Sequence, residues 1–120
     1  MEKVYIISRY RAKNERRIEF HKEVARYFCR KIIDEGNVPV APHIYYTQFL
    51  DDYYPDDRQI GVELAIQDLR SSDKFLLVMI DGVISEGMAN ELEEVSRLGL
   101  PGNIVCMTMQ EIKNAMKVVR

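Results

Sequence analysis

Short apolar runs alternate along this chain with longer amphipathic segments. Apolar runs typical of β-strands extend over Val4 to Ser8, Val38 to Val40, Phe75 to Ile80 and Ile104 to Met107. Apolar residues recur at helical spacing over Asn14 to Asp34, Asp56 to Ser72, Ser85 to Leu98 and Thr108 to Val119. The order β-α-β-α-β-α-β-α predicts an α/β fold with a parallel sheet and helices on both of its faces.

The details of this pattern add three expectations about the core. The run Phe75 to Ile80 is apolar on both faces, which predicts a central strand. Thr108 stands three residues before Glu111, the spacing of a helix capping box. In the third helix we expect four apolar side chains to point inward, namely Met88, Leu92, Val95 and Leu98.

One segment has no period of its own. Residues 45–54 contain four tyrosines and Phe49, and they separate the second strand from the second long helix. A connection of this length is often functional, and an exposed aromatic patch often marks an interface. The sequence therefore predicts a homo-oligomer in which this segment packs near a neighbour's pocket.

Composition and length exclude several classes of protein. The 120 residues are enough for one domain, and the net charge of −2 gives no basic stripe for polymeric nucleic acid or for a membrane surface. No apolar run is long enough to span a bilayer, and no signal peptide is evident, so a cytoplasmic location is expected. Cys29 and Cys106 lie in apolar contexts and are expected to be buried, reduced thiols.

Known cofactor and metal motifs are absent from the sequence. The two histidines, His21 and His43, are far apart, so no metal site is expected. There is no phosphate-binding G-x-x-x-x-G-K-[ST] run, no G-x-G-x-x-G after the first strand and no G-x-S-x-G around Ser85. We expect no cofactor, and a small molecule as the partner.

Polar residues follow three of the predicted strands, at Ser8 to Arg11, Ala41 to His43 and Asp81 to Ser85. Ligands of open α/β sheets bind where parallel strands end, so we expect these residues to converge on one site.

Five residues have side chains suited to a ligand, four of them near these strand ends and one, Arg58, early in the second long helical segment. Arg9, Arg11 and Arg58 can hold a phosphate or carboxylate, or they can be solvated surface arginines. Tyr10 can stack on a base or hydrogen-bond a carboxylate, or it can cover the edge of the core. His43 can contact ligand hydroxyls or act as an acid, or it can cap the following turn.

The run from Ser85 to Leu92 is the most informative segment. It joins the predicted central strand to a helix through a turn that contains Gly87, and a helix N-terminus at that place favours anions. Glu91 lies about one and a half helical turns after Ser85, from where it can point back over the strand ends. A carboxylate so placed can be a nucleophile or a general acid or base. The alternative is an ordinary helix with a serine cap and two solvated glutamates, Glu86 and Glu91.

Four segments together resemble the nucleoside 2-deoxyribosyltransferase-like superfamily, and in particular a branch of small bacterial and phage domains. They are Val4 to Arg11, Pro39 to His43, the Ser72-Asp73 pair and the run Ser85-x-Gly87-Met88-x-x-Glu91-Leu92. The resemblance implies a flavodoxin-like three-layer sandwich with a four- or five-stranded parallel sheet, formed by residues 1–120 as a single domain. It also implies sites completed by a neighbouring subunit.

The same resemblance implies cleavage of an N-glycosidic bond in a nucleoside or nucleotide, with Glu91 as the nucleophile at C1′. Tyr10 would then fix Glu91, and Ser85 would contact the sugar or its phosphate. The remaining residues expected to bind substrate are Ser8, Arg9, Arg11, His43, Arg58, Asp81, Gly87 and Met88.

The chain departs from the superfamily pattern at Ala65, where an aspartate usually assists the base or orients the nucleophile. Glu63 and Asp68 are the nearest carboxylates, and Glu63 is the one that could substitute from an adjacent helical position. Two hypotheses from different classes follow: a glycosidase-type enzyme, or a nucleotide-binding module of the same fold that lacks turnover.

Overall fold

A computed structural model describes residues 1–117. Within them lie four strands: β1 (Lys3–Ile7), β2 (Val38–Val40), β3 (Lys74–Ile80) and β4 (Gly102–Met107). The helices are α1 (Glu15–Asp34), α2 (Pro42–Tyr45), α3 (Pro55–Arg70), α4 (Glu86–Leu98) and α5 (Met109–Lys117), with a 3-10 turn at Tyr46–Gln48. The predicted end of the last helix, 118–119, lies outside the described residues.

The four strands form one parallel sheet in the order β2-β1-β3-β4. Tyr5 of β1 pairs with Val40 on one side and with Phe75 on the other. The predicted α/β architecture is confirmed, with four strands, and β3 is an interior strand as expected.

Alternation along β1 divides the core between the two faces of the sheet. Val4 and Ile6 pack against α1 and α5, in a cluster with Phe28 and Ile112. Tyr5 and Ile7 point the other way, into a cluster with residues of α3 and α4. Both sets are buried, as expected of a strand covered by helices on both faces.

Local signals set the ends of the helices. Asn14 accepts the Arg17 N–H at 2.9 Å at the start of α1, and Ser85 accepts the Met88 N–H at 3.3 Å at the start of α4. The helix α4 ends at Gly99, which has a left-handed φ of 64°. The predicted capping box is confirmed, because Thr108 and Glu111 exchange side-chain and backbone hydrogen bonds at 2.8 and 3.1 Å.

Two predictions about burial are wrong. Leu98, in the last turn of α4, is 42% exposed rather than inward. Cys106 is exposed, because it shares with Ile104 a face of the edge strand β4 that no helix among residues 1–117 covers. Cys29 is half-buried on α1, and burial raises the pKa of its thiol to about 11.

The aromatic segment is more regular than its sequence indicates. Its first residues complete α2 and form the 3-10 turn, and the Tyr46 hydroxyl donates to Asp68 at 2.8 Å. Phe49 and Tyr54 are 67% and 66% exposed. The exposure fits the predicted patch, while the predicted oligomer stays a prediction.

The connections leave β1 and β3 in opposite directions. From β1 the chain crosses through α1 to β2, and from β3 it crosses through α4 to β4 on the other side of the sheet. Such a reversal is the topological switch point at which open α/β sheets form a ligand crevice. The topology therefore opens a crevice above the carboxyl ends of β1 and β3.

Candidate active site

A first cavity of about 360 Å³ opens at this crevice, between the loop after β1, the helices α2 and α3, and the start of α4. A volume of this size is typical of a small-molecule site. Ten of the residues predicted from the sequence line it: Ser8, Arg9, Tyr10, Arg11, His43, Arg58, Ser85, Gly87, Met88 and Glu91.

Asp81 is the exception, and its expected place in this site is wrong. After β3 the backbone at Asp81 turns left-handed, with a φ of 53°, and its Oδ1 accepts the Met109 N–H at 3.0 Å at the start of α5. The turn directs Asp81 to a second cavity, of about 290 Å³, on the α1 and α5 side of the sheet.

Glu91 lines the first cavity and is buried, with 7% of the residue exposed. Its Oε2 accepts a hydrogen bond from the Tyr5 hydroxyl, whereas its Oε1 is buried and has no hydrogen-bond partner among residues 1–117. A buried carboxylate oxygen without a donor costs free energy. The two oxygens are therefore distinct, one held by the Tyr5 hydroxyl and one without a donor.

The tyrosine that holds Glu91 is Tyr5 of β1, not Tyr10 as the sequence predicts. Tyr5 is fully buried, and burial together with the Glu91 carboxylate raises the pKa of its hydroxyl, which therefore stays protonated and donating. Tyr10 instead stacks on the His43 ring, at 5.4 Å between centroids and 19° between planes. The one available signal for Tyr5 was a phenol in an otherwise aliphatic strand, since a buried hydroxyl needs a partner.

His43 lies close to the free oxygen of Glu91. It follows Pro42, which begins α2, and its Nε2 is 3.9 Å from Glu91 Oε1. This separation is too long for a hydrogen bond.

Two of the predicted arginines share one acidic partner at the cavity. Arg11 Nε and Arg58 Nη1 each lie 3.1 Å from Asp52 Oδ2, and the Arg11 guanidinium lies over the Tyr53 ring at 4.9 Å. One carboxylate thus holds two cations in place at the wall of the cavity. Asp52 is not among the residues predicted from the sequence, and its contact with both arginines was missed.

The α3 wall of the cavity carries Ala65, which is buried. Glu63, which could substitute for an aspartate here by its position in the sequence, is exposed, lies outside the cavity lining and accepts a hydrogen bond from Gln59 at 3.0 Å. Asp68 accepts the Tyr46 hydroxyl at 2.8 Å. Neither Glu63 nor Asp68 lines the cavity.

No three His, Cys, Asp or Glu side chains within residues 1–117 come together in a way that could hold a metal ion. No helix in the same range is long and apolar enough to cross a membrane.

Comparison with known proteins places the chain in a family. The model of a domain of unknown function, DUF7768, matches residues 2–105, so the chain belongs to that family. No curated protein matches it in sequence.

Among solved structures, the fold is similar to that of a 2-deoxyribosyltransferase from the psychrotolerant bacterium Bacillus psychrosaccharolyticus. The TM-score is 0.68 at 18% sequence identity, and the match covers 87% of this chain and 72% of that enzyme. Likeness at this level of identity supports the fold relationship, a flavodoxin-like α/β sandwich. It leaves activity and residue roles as proposals.

Proposed function

We propose that this chain is a deoxyribosyltransferase-like protein with Glu91 as the nucleophile. It cleaves the N-glycosidic bond of a nucleoside or nucleotide and passes the sugar to water or to a second base. The observation that supports this function best is the asymmetry of the Glu91 carboxylate. Tyr5 fixes Oε2, while Oε1 is buried at the cavity without a partner among residues 1–117. A nucleophile needs this combination of fixed orientation and a free lone pair.

The proposed reaction is a double displacement. Glu91 Oε1 attacks C1′, the C1′–N bond breaks with its electron pair going to the base, and the base takes up one proton. Water or a second base then attacks C1′, loses its proton, and releases the Glu91 carboxylate. Two displacements at C1′ retain the configuration of the sugar. His43 is a candidate for the proton transfers, since its Nε2 is 3.9 Å from Oε1.

Other residues of the cavity would bind the substrate. The Arg11 and Arg58 pair at Asp52 suits a 5′-phosphate, because guanidinium groups bind phosphate oxygens in a bidentate way. The stacked Tyr10 and His43 rings offer a flat surface for a base or sugar. None of these roles requires a cofactor.

A second candidate function is a nucleotide-binding module without turnover. Ala65 favours it, because this residue puts a methyl group on the cavity wall where the superfamily pattern implies an aspartate. Glu63 and Asp68 are engaged elsewhere. Such a protein would keep the binding surface and lack the carboxylate that assists the departing base.

Base release separates the two functions. The purified protein is incubated with deoxynucleosides and deoxynucleoside monophosphates, and free base is measured by chromatography. We expect release by the wild type, none by Glu91→Gln, and wild-type release by Glu93→Gln, which alters an exposed neighbour on α4. Saturable binding without release in the wild type would support the module. Loss of release in Glu86→Gln but not in Glu91→Gln would show that the nucleophile is the other carboxylate.

A further inference from the structure

The second cavity lies across the sheet edge from Glu91 and plays no part in the proposed reaction. It is about 290 Å³ in volume and lies between α1 and α5. Phe20, Val24 and Met109 give it apolar walls, while basic side chains of α1 and of the loop after β1 also line it. Ser8 and Arg9 line both cavities, so the two are neighbours at the switch point.

Three basic side chains, Arg9, Arg17 and His21, meet at this cavity. Within residues 1–117, neither arginine is part of an ion pair. Burial lowers the pKa of His21, and the charges of Arg9 and Arg17 lower it further, against the opposing effect of its hydrogen bond to the Tyr10 carbonyl. His21 is therefore neutral near pH 7, and the positive charges at this concave surface are those of Arg9 and Arg17, which attract an anion.

The hydrogen bonds of the second cavity indicate which other groups the bound anion should carry. His21 Nδ1 is 3.0 Å from the Tyr10 carbonyl oxygen and donates to it, which leaves Nε2 as an acceptor for a ligand hydroxyl. Asp81 also lines the cavity and accepts the Met109 N–H through Oδ1. Its negative charge disfavours a bare anion nearby, whereas a ligand hydroxyl can donate to its second oxygen. A phosphate joined to a sugar satisfies both sides of the cavity.

We infer that the second cavity is a nucleotide subsite, in which Arg9 and Arg17 receive a phosphoryl group, while Asp81 and His21 Nε2 accept hydrogen bonds from sugar hydroxyls. The apolar walls suit the remainder of the same molecule. The nucleotide can be an independent ligand. It can also be the distal half of a dinucleotide whose glycosidic carbon lies at Glu91, and only this second source rests on the proposed function.

Calorimetric titration of two probes tests the inference, a nucleoside 5′-monophosphate and a dinucleotide joined through a pyrophosphate. All variants are made on Glu91→Gln, so that binding is measured without turnover. Arg17→Gln removes one cation of the cavity and keeps the backbone N–H that Asn14 caps. Arg16→Gln is the matched control, since Arg16 is exposed on the same helix and lines neither cavity.

We expect Arg17→Gln to weaken nucleotide binding at this subsite by roughly 10- to 100-fold, the effect of losing a charged hydrogen bond, and Arg16→Gln to change it less than about twofold. If Arg17→Gln abolishes a binding event of the monophosphate, the ligand of the subsite is an independent nucleotide. Weakening of the dinucleotide alone identifies the distal half of an extended substrate. Equal behaviour of Arg17→Gln and Arg16→Gln with both probes would overturn the inference.

Two patterns of results distinguish the nucleotide subsite from the proposed glycosidase activity. Nucleotide binding that depends on Arg17, in a wild type that releases no base, would support the subsite and reject the glycosidase. Base release from nucleosides, together with probe binding that Arg17→Gln does not change, would support the glycosidase and reject the subsite. Thermal unfolding of both arginine variants is measured alongside, and because both side chains are exposed we expect unchanged midpoints.

Discussion

The Tyr5 hydroxyl donates a hydrogen bond to Oε2 of Glu91, so an interior strand and the helix α4 meet through residues 86 positions apart in the chain. The Tyr5 side chain is fully buried in the core, so the surrounding residues hold its hydroxyl in one position. The bond therefore fixes the direction in which Oε1 faces. A nucleophile aligned by a buried donor needs little rearrangement to react.

Replacing the donor tests this role. In Tyr5→Phe, Glu91 Oε2 stays buried but has no donor, so we expect base release to fall by roughly 10- to 100-fold and the free energy of unfolding to fall by about 1–3 kcal/mol. Steady-state rates and urea unfolding measure the two effects. Tyr54→Phe, which alters a tyrosine 66% exposed, is the control and should change neither. Full activity in Tyr5→Phe would show that the bond has no positioning role.

The raised pKa of Tyr5 also predicts how stability depends on pH. In the unfolded chain a tyrosine loses its proton near pH 10, whereas burial and Glu91 keep Tyr5 protonated in the folded protein. The folded state then binds more protons, so the stabilisation is complete below pH 10 and declines as pH rises above it, by about 1.4 kcal/mol per pH unit.

Urea unfolding between pH 8 and pH 11 measures this decline. Cys29 contributes in the same direction, because its folded pKa of about 11 is also raised. The relevant quantity is therefore the difference between the wild type and Tyr5→Phe, which we expect to shrink above pH 10. A constant difference across this range would contradict the assignment to Tyr5.

The two cysteines should differ in their reaction with thiol reagents. Cys106 is exposed on the edge strand, and Cys29 is half-buried with a thiol pKa of about 11. At pH 8 only roughly one Cys29 thiol in a thousand is ionised, so we expect rapid modification of Cys106 and slow modification of Cys29. Mass spectrometry of peptides after timed labelling gives both rates. Cys29 labelling should rise about tenfold per pH unit up to pH 11, and equal rates at pH 8 would contradict the prediction.

The predicted oligomer can be tested at the aromatic segment. Phe49 is 67% exposed and contacts Tyr45 at 5.3 Å between ring centroids, which gives an aromatic surface without a cover within residues 1–117. We expect sedimentation at micromolar concentration to show an oligomer, and Phe49→Ser to shift it towards the monomer. Ile104→Ser, at a side chain 60% exposed on β4, is the control. A monomeric wild type would reject the prediction, and dissociation by Ile104→Ser alone would move the interface to the sheet edge.

The periodic segments of the sequence predicted the fold well, because each one buries a face that its own residues define. The run Phe75 to Ile80 matches β3 to within one residue. The position of Glu91 in the cavity also followed from local spacing, since Ser85 sets where α4 begins. The short helix α2 was missed, because four residues are too few to show a helical period.

What the sequence did not predict depends on partners distant in the chain. Tyr5 is an unremarkable strand residue until α4 brings Glu91 to its hydroxyl. Asp52 is one of several acidic residues in an irregular stretch until folding places it between two arginines. Leu98 and Cys106 are apolar by type, but whether they are buried depends on whether another element covers them.

The arginine pair predicts how the protein should distinguish nucleotides from nucleosides. Asp52 holds Arg11 and Arg58 at 3.1 Å each, so their guanidinium groups need little reordering to bind a phosphate. In Arg58→Gln we expect a 5′-monophosphate to bind roughly 10- to 100-fold more weakly and the matching nucleoside to bind within about twofold of the wild type.

Equilibrium binding of both ligands to the Glu91→Gln background measures this selectivity without turnover. Arg26→Gln is the matched control, because Arg26 pairs with Glu19 on α1 and lines neither cavity. Asp52→Asn provides the complementary test, since it keeps both cations but removes the carboxylate that fixes them. Asp52→Asn raises the net charge at the arginine pair by one but no longer orders the two guanidinium groups. If the added charge has the larger effect, this variant will bind the monophosphate more tightly and with a steeper dependence on salt. Equal weakening of nucleotide and nucleoside in Arg58→Gln would instead mean that the arginine shapes the cavity and does not read the phosphate.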